Sequence, residues 1–310
     1  MFLHLTSESN LFRILTYKHT LMIRYLFLFL PVLLFACQPD HEVKQKTAIT
    51  EEADIKKFAL YSAAVSDSFT ISVYMPDTLI AEKPDRFPVI YVLDANLYFD
   101  IYASILKKYS EVGLLSPAIL VGIGYSSFQK MDSLRQRDYT FPEGLPEYEM
   151  PVSGKADLFL DFVQKELIPV IDQKFRSDTS KRIIMGHSLG GYFIMYALLK
   201  ELKEHKGLFM GYIAASPSLH YNHNYLLKQF DSIGNFTGNG KKCYAVYGGL
   251  ENPELKTTTT LTIDSLFKNL SANFSKIAGA KLKTASFSEM DHMDTQIPGF
   301  IKGLQWIMAE

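Results

Sequence analysis

The stretch Arg182–Phe193, RIIMGHSLGGYF, decides how the rest of the chain is read. Ile183, Ile184 and Met185 form a short apolar run of the kind that makes a buried strand. YFIMYALLK, from Tyr192 to Lys200, reads as a helix. Between them a single hydroxyl, Ser188, stands among Gly186, Gly190 and Gly191. Strand, sharp turn with a serine at its tip, then helix is the order a nucleophile elbow requires. The residues two before and two after that serine must be small, and Gly186 and Gly190 are.

Outward from this turn, strand-like and helix-like segments alternate. SFTISVYMPD (Ser68–Asp77) alternates apolar and polar residues and predicts a strand ending at Pro76. RFPVIYVLDAN (Arg86–Asn96) and PAILVGIGY (Pro117–Tyr125) carry continuous apolar runs, as strands buried on both faces do. KADLFLDFVQKELIPVIDQKF (Lys155–Phe175) has apolar residues at helical spacing and a proline, Pro169, that predicts a kink. Three further strands are predicted in MGYIAASPS (Met210–Ser218), CYAVYGG (Cys243–Gly249) and KLKTASFSE (Lys281–Glu289), and PGFIKGLQWIMA closes the chain as a helix. The fold class that follows is α/β: a mainly parallel sheet with helices on both faces, preceded by an antiparallel N-terminal hairpin.

A serine hydroxyl is a weak nucleophile at neutral pH. It needs a base, a carboxylate to orient the base, and donors for the developing oxyanion. In this chain order the acid and base come after the serine, on loops that follow later strands. His292 follows the last predicted strand and precedes the last helix, so it is the candidate base. His220 and His223 come one strand too early, and His187 is too close to Ser188 to turn back onto it. Glu251, just past the Cys243 strand, is the preferred acid. Asp264, inside a predicted helix, and Asp291, adjacent to His292, stay open as alternatives. The oxyanion donors are expected to be the backbone N–H groups of Leu189 and Asn96. HYNH (His220–His223) suggests a metal pair but has no third ligand nearby, so neither metal nor cofactor is expected.

The chain has 310 residues, 47% hydrophobic and 21% charged, enough for one sizeable domain. A formal net charge of −1 gives no basic surface for nucleic acid. MIRYLFLFLPVLLFAC (Met22–Cys37) places Arg24 before a short apolar run that ends at a cysteine. This reads as a secretory leader, and Leu34–Cys37 resembles a bacterial lipobox with Cys37 as the lipidated residue. A leader cleaved elsewhere and an uncleaved anchor are the other readings. Residues 1–36 are thus the signal region, with an over-long start before Met22 as one explanation of its first residues. Residues 37–56 read as a polar tether, and 57–310 as the catalytic domain. Loss of Arg13, Lys18, Arg24 and Glu8 with the leader takes the formal charge to −3. The expected location is extracytoplasmic, on a lipid anchor. Gln38 after the cysteine points to the outer membrane or cell surface. Cys243, then the remaining thiol, is expected to be a small buried hydrophobe.

FPVIYVLDAN, RQRDYTFP, IIMGHSLGGYF, AASPSLHYN, VYGGLEN and DHMDTQIPGFIKGLQWI occur in the order found in the esterase D-like α/β-hydrolases. Over about residues 57–308 the chain resembles that family, and most of all its branch of enterobactin-type siderophore esterases and their relatives. The resemblance implies an α/β-hydrolase fold with Ser188 as nucleophile, His292 as base and the Asn96 and Leu189 amides as oxyanion hole. It favours Glu251 as acid, and it implies that Arg137 and Asp138 position a loop or the substrate. Two positions depart from the pattern. Ala95 stands where relatives carry glycine, and His220 stands where they carry tryptophan, which alters one wall of the substrate pocket.

The activity expected is hydrolysis of a small carboxylic ester through an acyl-enzyme. The alternatives are a siderophore trilactone esterase, an acyltransferase to a sugar or lipid hydroxyl, and a binding lipoprotein without catalysis. The segments placed near Ser188 (DANLYFD, SPSLHYNHNY, GGLENPE and EMDHMD) are poor in lysine and arginine. That predicts a neutral or weakly charged ester, since buried anions need paired cations. Nothing in the sequence sets the oligomeric state.

Overall fold

The computed structural model describes residues 54–76, 85–204, 207–234, 236–251 and 261–309. The leader and Cys37 therefore lie outside the described residues, as does the tether apart from its last three. Strand β1 (Ile55–Ser62) begins two residues before the expected domain start and pairs antiparallel with β2 (Asp67–Tyr74). β3 (Phe87–Val92), β4 (Ile119–Gly124), β5 (Ser177–His187), β6 (Gly211–Ala215), β8 (Lys242–Gly248) and β10 (Lys281–Phe287) complete an eight-stranded sheet. Its order is β1-β2-β4-β3-β5-β6-β8-β10, parallel from β4 onward. The two-residue strands β7 (Phe236–Thr237) and β9 (Ile277–Ala278) form a separate small parallel ladder.

Alternation along the strands sends side chains to two cores. Ile90, Val92, Leu120, Ile183, Met185, Ile213 and Val246 face α1 (Ala95–Glu111) and α8 (Gln296–Met308). Val89, Tyr91, Val121, Ile123, Ile184, Tyr212 and Ala245 face the other helices. These are α2 (Phe128–Tyr139), α3 (Ala156–Asp161), α4 (Ile168–Lys174), α5 (Leu189–Glu204), α6 (Tyr221–Asp231) and α7 (Ile263–Phe274). With both faces covered, the central strands can be apolar throughout. On that second side Phe69 stacks on Phe162, ring centroids 4.4 Å apart, and meets Phe159 at 5.4 Å. Full burial of such a ring stabilises by about 1.5–3 kcal/mol.

The helix expected to kink at Pro169 is instead widened. Phe162–Leu167 form a π-helical turn between α3 and α4. Pro169 has no N–H to give to a carbonyl one turn back, and the helix absorbs the missing bond as a single wider turn. The parallel strands all deliver their C-terminal ends to one edge of the sheet. Three residues there have left-handed backbone: Asp94 after β3 (φ 52), Ser188 after β5 (φ 60) and Ser216 after β6 (φ 41). Each such non-glycine residue costs on the order of 1–3 kcal/mol, and strain of this kind gathers at functional sites.

Candidate active site

Ser188 sits at the tip of a turn that only small neighbours permit. A Cβ on Gly186 would lie 2.6 Å from the carbonyl carbon and oxygen of Gly190, and one on Gly191 would lie 2.9 Å from the Ala215 carbonyl oxygen. The Ser188 N–H donates to the Ala215 carbonyl (3.0 Å), and its own carbonyl accepts from Tyr192 N (2.9 Å) and Ser218 N (3.1 Å). The backbone is thus fixed on three sides. The side chain is half-buried, and its Oγ has only a long contact, 3.4 Å, to Ser218 Oγ.

The structure brings Glu251 and His292 together from the ends of β8 and β10. His292 Nδ1 lies 2.7 Å from Glu251 Oε2, which leaves Nε2 as the nitrogen for proton exchange. Glu251 Oε1 accepts from Ser216 Oγ (2.6 Å) and from the Gly248 N–H (2.5 Å). Burial pushes the Glu251 carboxyl upward, but the bonds from His292, Ser216 and Gly248 outweigh it, and its pKa falls below the ordinary glutamate value. Ser216 has one proton, and a carboxylate only accepts. Ser216 therefore donates to Glu251 and accepts from Thr295 Oγ1, 2.6 Å away. The buried Thr295 hydroxyl also lies 3.1 Å from the His292 carbonyl, a longer contact that its single proton, given to Ser216, does not fill.

His187, read from sequence only as unable to be the base, holds the base loop. Its Nε2 lies 2.8 Å from the His292 carbonyl oxygen. The partner is an acceptor, so the ring carries its proton on Nε2. Burial and the neighbouring His292 lower its pKa to about 4, which keeps it neutral.

The two alternative acids fall elsewhere. Asp264 is an exposed residue in the first turn of α7. Asp291 turns back onto the chain, its Oδ1 accepting from the His292 N–H at 2.5 Å. Leu189 opens α5 and Asn96 is the second residue of α1, so both N–H groups lie in first turns, where no intrahelical partner exists. The Asn96 side chain is committed to Tyr125, with Nδ2 on its carbonyl and Oδ1 on its N–H, both at 2.8 Å. His220 borders solvent yet is crowded by the surrounding chain. That crowding and the neighbouring His292 lower its pKa. Tyr148 Oη donates to the His220 carbonyl at 3.0 Å and ties its short helical turn to that segment.

The two arginines of RQRDYTFP take different partners. Arg137 is taken up by Asp138 (2.7 Å) and Asp67 (3.0 Å) and is left without a free face. Arg135 is the one that reaches the site. Its Nε and Nη2 grip both oxygens of Asp94 at 3.0 Å, and Nη2 also donates to the His187 carbonyl at 3.2 Å. It therefore ties the expected oxyanion turn to the elbow. Two residues apart on a helix point in different directions, so only one of the pair could face the site, and the sequence does not say which. Cys243 is buried, as expected, and burial raises its thiol pKa to about 12.

This geometry agrees with comparisons to known proteins. Residues 62–253 match the family model described as "Putative esterase". The chain is 33% identical over 183 residues to the ferri-bacillibactin esterase BesA of Bacillus subtilis, covering 56% of this chain and 62% of that protein. It is 30% identical over 138 residues to the siderophore triacetylfusarinine C esterase of Aspergillus fumigatus, covering 44% and 45%. The match thus spans less than two thirds of the length of these curated relatives. The crystal structure of the BES protein from Bacillus cereus superposes with a TM-score of 0.65 at 24% identity, over 83% of this chain and 96% of that one, which shows the shared fold. The sheet order, the serine turn and the matched region make this chain a member of the esterase family of α/β-hydrolases related to the siderophore-type esterases.

Proposed function

We propose that the protein is a serine hydrolase that opens ester bonds of siderophore-type substrates through an acyl-enzyme on Ser188. The observation that carries the chemistry is the 2.7 Å contact of Glu251 with His292, on the loops flanking the strained Ser188 turn. In the first half-reaction the Ser188 Oγ attacks the ester carbonyl as its proton passes to His292 Nε2. Glu251, held ionised by its three donors, stabilises the imidazolium. The Leu189 and Asn96 amides receive the oxyanion. Collapse expels the alcohol, which takes the proton from His292. Water then repeats the sequence and releases the acid. No step calls for a metal.

On substrate, the neutral ester expected from the sparse basic residues gives way to a siderophore ester. The relatives named above act, by their names, on ferri-bacillibactin and triacetylfusarinine C. The test is kcat/KM for a ferric catecholate trilactone against acetyl, butyryl and feruloyl esters. A preference for the trilactone of a hundredfold or more is expected. A simple ester winning by that margin restores the neutral-ester reading.

We further propose that the domain is extracytoplasmic and anchored through lipid on Cys37, on the strength of the Met22–Cys37 pattern. Among the described residues no helix is long and apolar enough to cross a membrane. Replacement of Cys37 by Ser should abolish labelling by palmitate and shift the protein out of the membrane fraction. Equal labelling of both forms defeats the anchor.

A further inference from the structure

Beside the expected oxyanion turn, on the α1 face of the sheet, lies a pocket of about 290 Å³ that the chemistry above does not use. Alternation along β2 creates half of it. Phe69, Ile71 and Val73 go to the core, so Thr70 and Ser72 go to the opposite face. There they meet β4 at Gly124 and Gly122 and α1 at Ala95, all small. A Cβ on Gly124 would sit 2.7 Å from Asn96 Oδ1. The absence of that atom leaves both the pocket and the Asn96–Tyr125 bridge intact.

Besides Asn96 and Tyr125, four polar side chains line this space, Lys57, Thr70, Ser72 and Ser126. Ser72 is only 4% exposed, yet among the described residues its hydroxyl has no protein partner. A hydroxyl that opens onto a pocket can exchange its water for an oxygen of a ligand at little cost. Lys57 makes no ion pair among the described residues, and no carboxylate lines the pocket. Asp94, next to the lining residue Ala95, is matched by Arg135, and Asp67, on the same strand as Thr70, by Arg137. The first turn of α1 contributes Ala95 and Asn96 and contains no acidic residue, so the positive end of its dipole adds to the same field. The volume is close to the lower limit of ~300 Å³ for small-ligand pockets, enough for one arm of a substrate and not for the whole.

We propose that this pocket is a subsite for an anionic, oxygen-rich arm of the ester substrate, with Lys57 as its counter-ion and Ser72, Thr70 and Ser126 as hydrogen-bond partners. The word substrate rests on the ester-hydrolase reading, but the site itself does not, and the experiment separates the two. Full-length Ser188→Ala protein is titrated with 2,3-dihydroxybenzoate, an anion at neutral pH, and with its neutral methyl ester, with binding followed by backbone amide shifts. The acid is expected to bind at least about tenfold more tightly. Its shifts should centre on residues 57, 72, 124 and 126. Lys57→Met should remove the preference for the acid, and Ser72→Ala should weaken acid binding several-fold, in protein whose remaining amide spectrum is unchanged. Equal binding of the two probes, no binding of either, or a preference that survives Lys57→Met overturns the subsite. Failure of wild-type protein to hydrolyse p-nitrophenyl butyrate overturns the hydrolase reading instead and leaves the binding result standing.

Discussion

Ser188 and Ser216 end neighbouring parallel strands and share a left-handed backbone, yet their hydroxyls are treated in opposite ways. Ser216 Oγ has two contacts of 2.6 Å, to Glu251 and to Thr295. Ser188 Oγ has one, at 3.4 Å. The same residue in the same conformation is saturated at the end of β6 and left idle at the end of β5. A hydroxyl that orients a carboxylate must have its proton fixed in direction. A hydroxyl that attacks must have its proton free to leave. The difference lies in what the later strands bring alongside: Glu251 after β8 and Thr295 after β10 bond the Ser216 hydroxyl, and among the described residues no bond that short reaches Ser188 Oγ.

Substitution separates the two serines by size of effect. Ser188→Ala should lower kcat by about 10⁴–10⁶ with the fold unchanged, as loss of a triad nucleophile does. A residual rate within tenfold of wild type would mean that another group attacks. Next comes the acid. Glu251→Gln keeps the shape but removes the charge facing His292 Nδ1, and kcat should drop by about 10²–10⁴. Asp264→Ala, at an exposed position, should stay within about 0.5 kcal/mol of wild type in stability and leave the rate alone. If Asp264→Ala is the worse of the two in folded protein, the acid is misassigned.

Ser216→Ala is the sharper case, because it tests a supporting hydroxyl. Losing a hydrogen bond to a charged group costs about 1.5–3 kcal/mol, which is roughly 10–100-fold in kcat. KM should hardly move, since Ser216 acts through Glu251. An equal rise in KM would place Ser216 in substrate binding instead. The smallest effect is one of pH on stability. His187 is held neutral in the fold, with its pKa lowered from 6.5 to about 4. Protonation therefore favours the unfolded chain. The stabilisation is complete above pH 6.5 and is lost as pH falls toward 4, on the order of 3 kcal/mol at most. Urea melts at pH 7, 5.5 and 4.5 should show this decline, and a flat profile would break the assignment.

Much of this was legible in the chain. Apolar runs in FPVIYV and ILVGIG, the strict alternation in β2 and the glycines around Ser188 each express a local physical demand, so strands, elbow and sheet type could be read directly. Ser188, Glu251 and His292 were proposed from their positions after three of the strands, and the structure sets Glu251 beside His292. Ser216, Thr295 and His187 were not, because nothing local marks a serine, threonine or histidine as a support. Their roles come from contacts across 35, 79 and 105 residues of sequence. For the same reason Arg135 was not singled out: which arginine of α2 reaches Asp94 depends on how that helix is rolled against the sheet. The pocket at Lys57 was invisible as well, since it is made by side chains too small to register as a pattern.

The short ladder of β7 with β9 has a bearing on timing. It joins the chain entering β8 to the chain entering β10, and Gly238 N–H and Lys281 N–H extend it by bonds to Ala278 and Lys241. β8 and β10 then run in register for seven residues, about 23 Å at strand rise, before releasing Glu251 and His292 at the far edge. Glu251 and His292 are therefore carried by two strands clasped at their base, like the blades of a tweezer. Motion of the sheet edge that leaves this ladder paired carries the starts of both strands together. The slowest-exchanging amides around residues 238 and 281 would then set the lifetime over which the acid–base contact persists, far from any atom that touches the substrate.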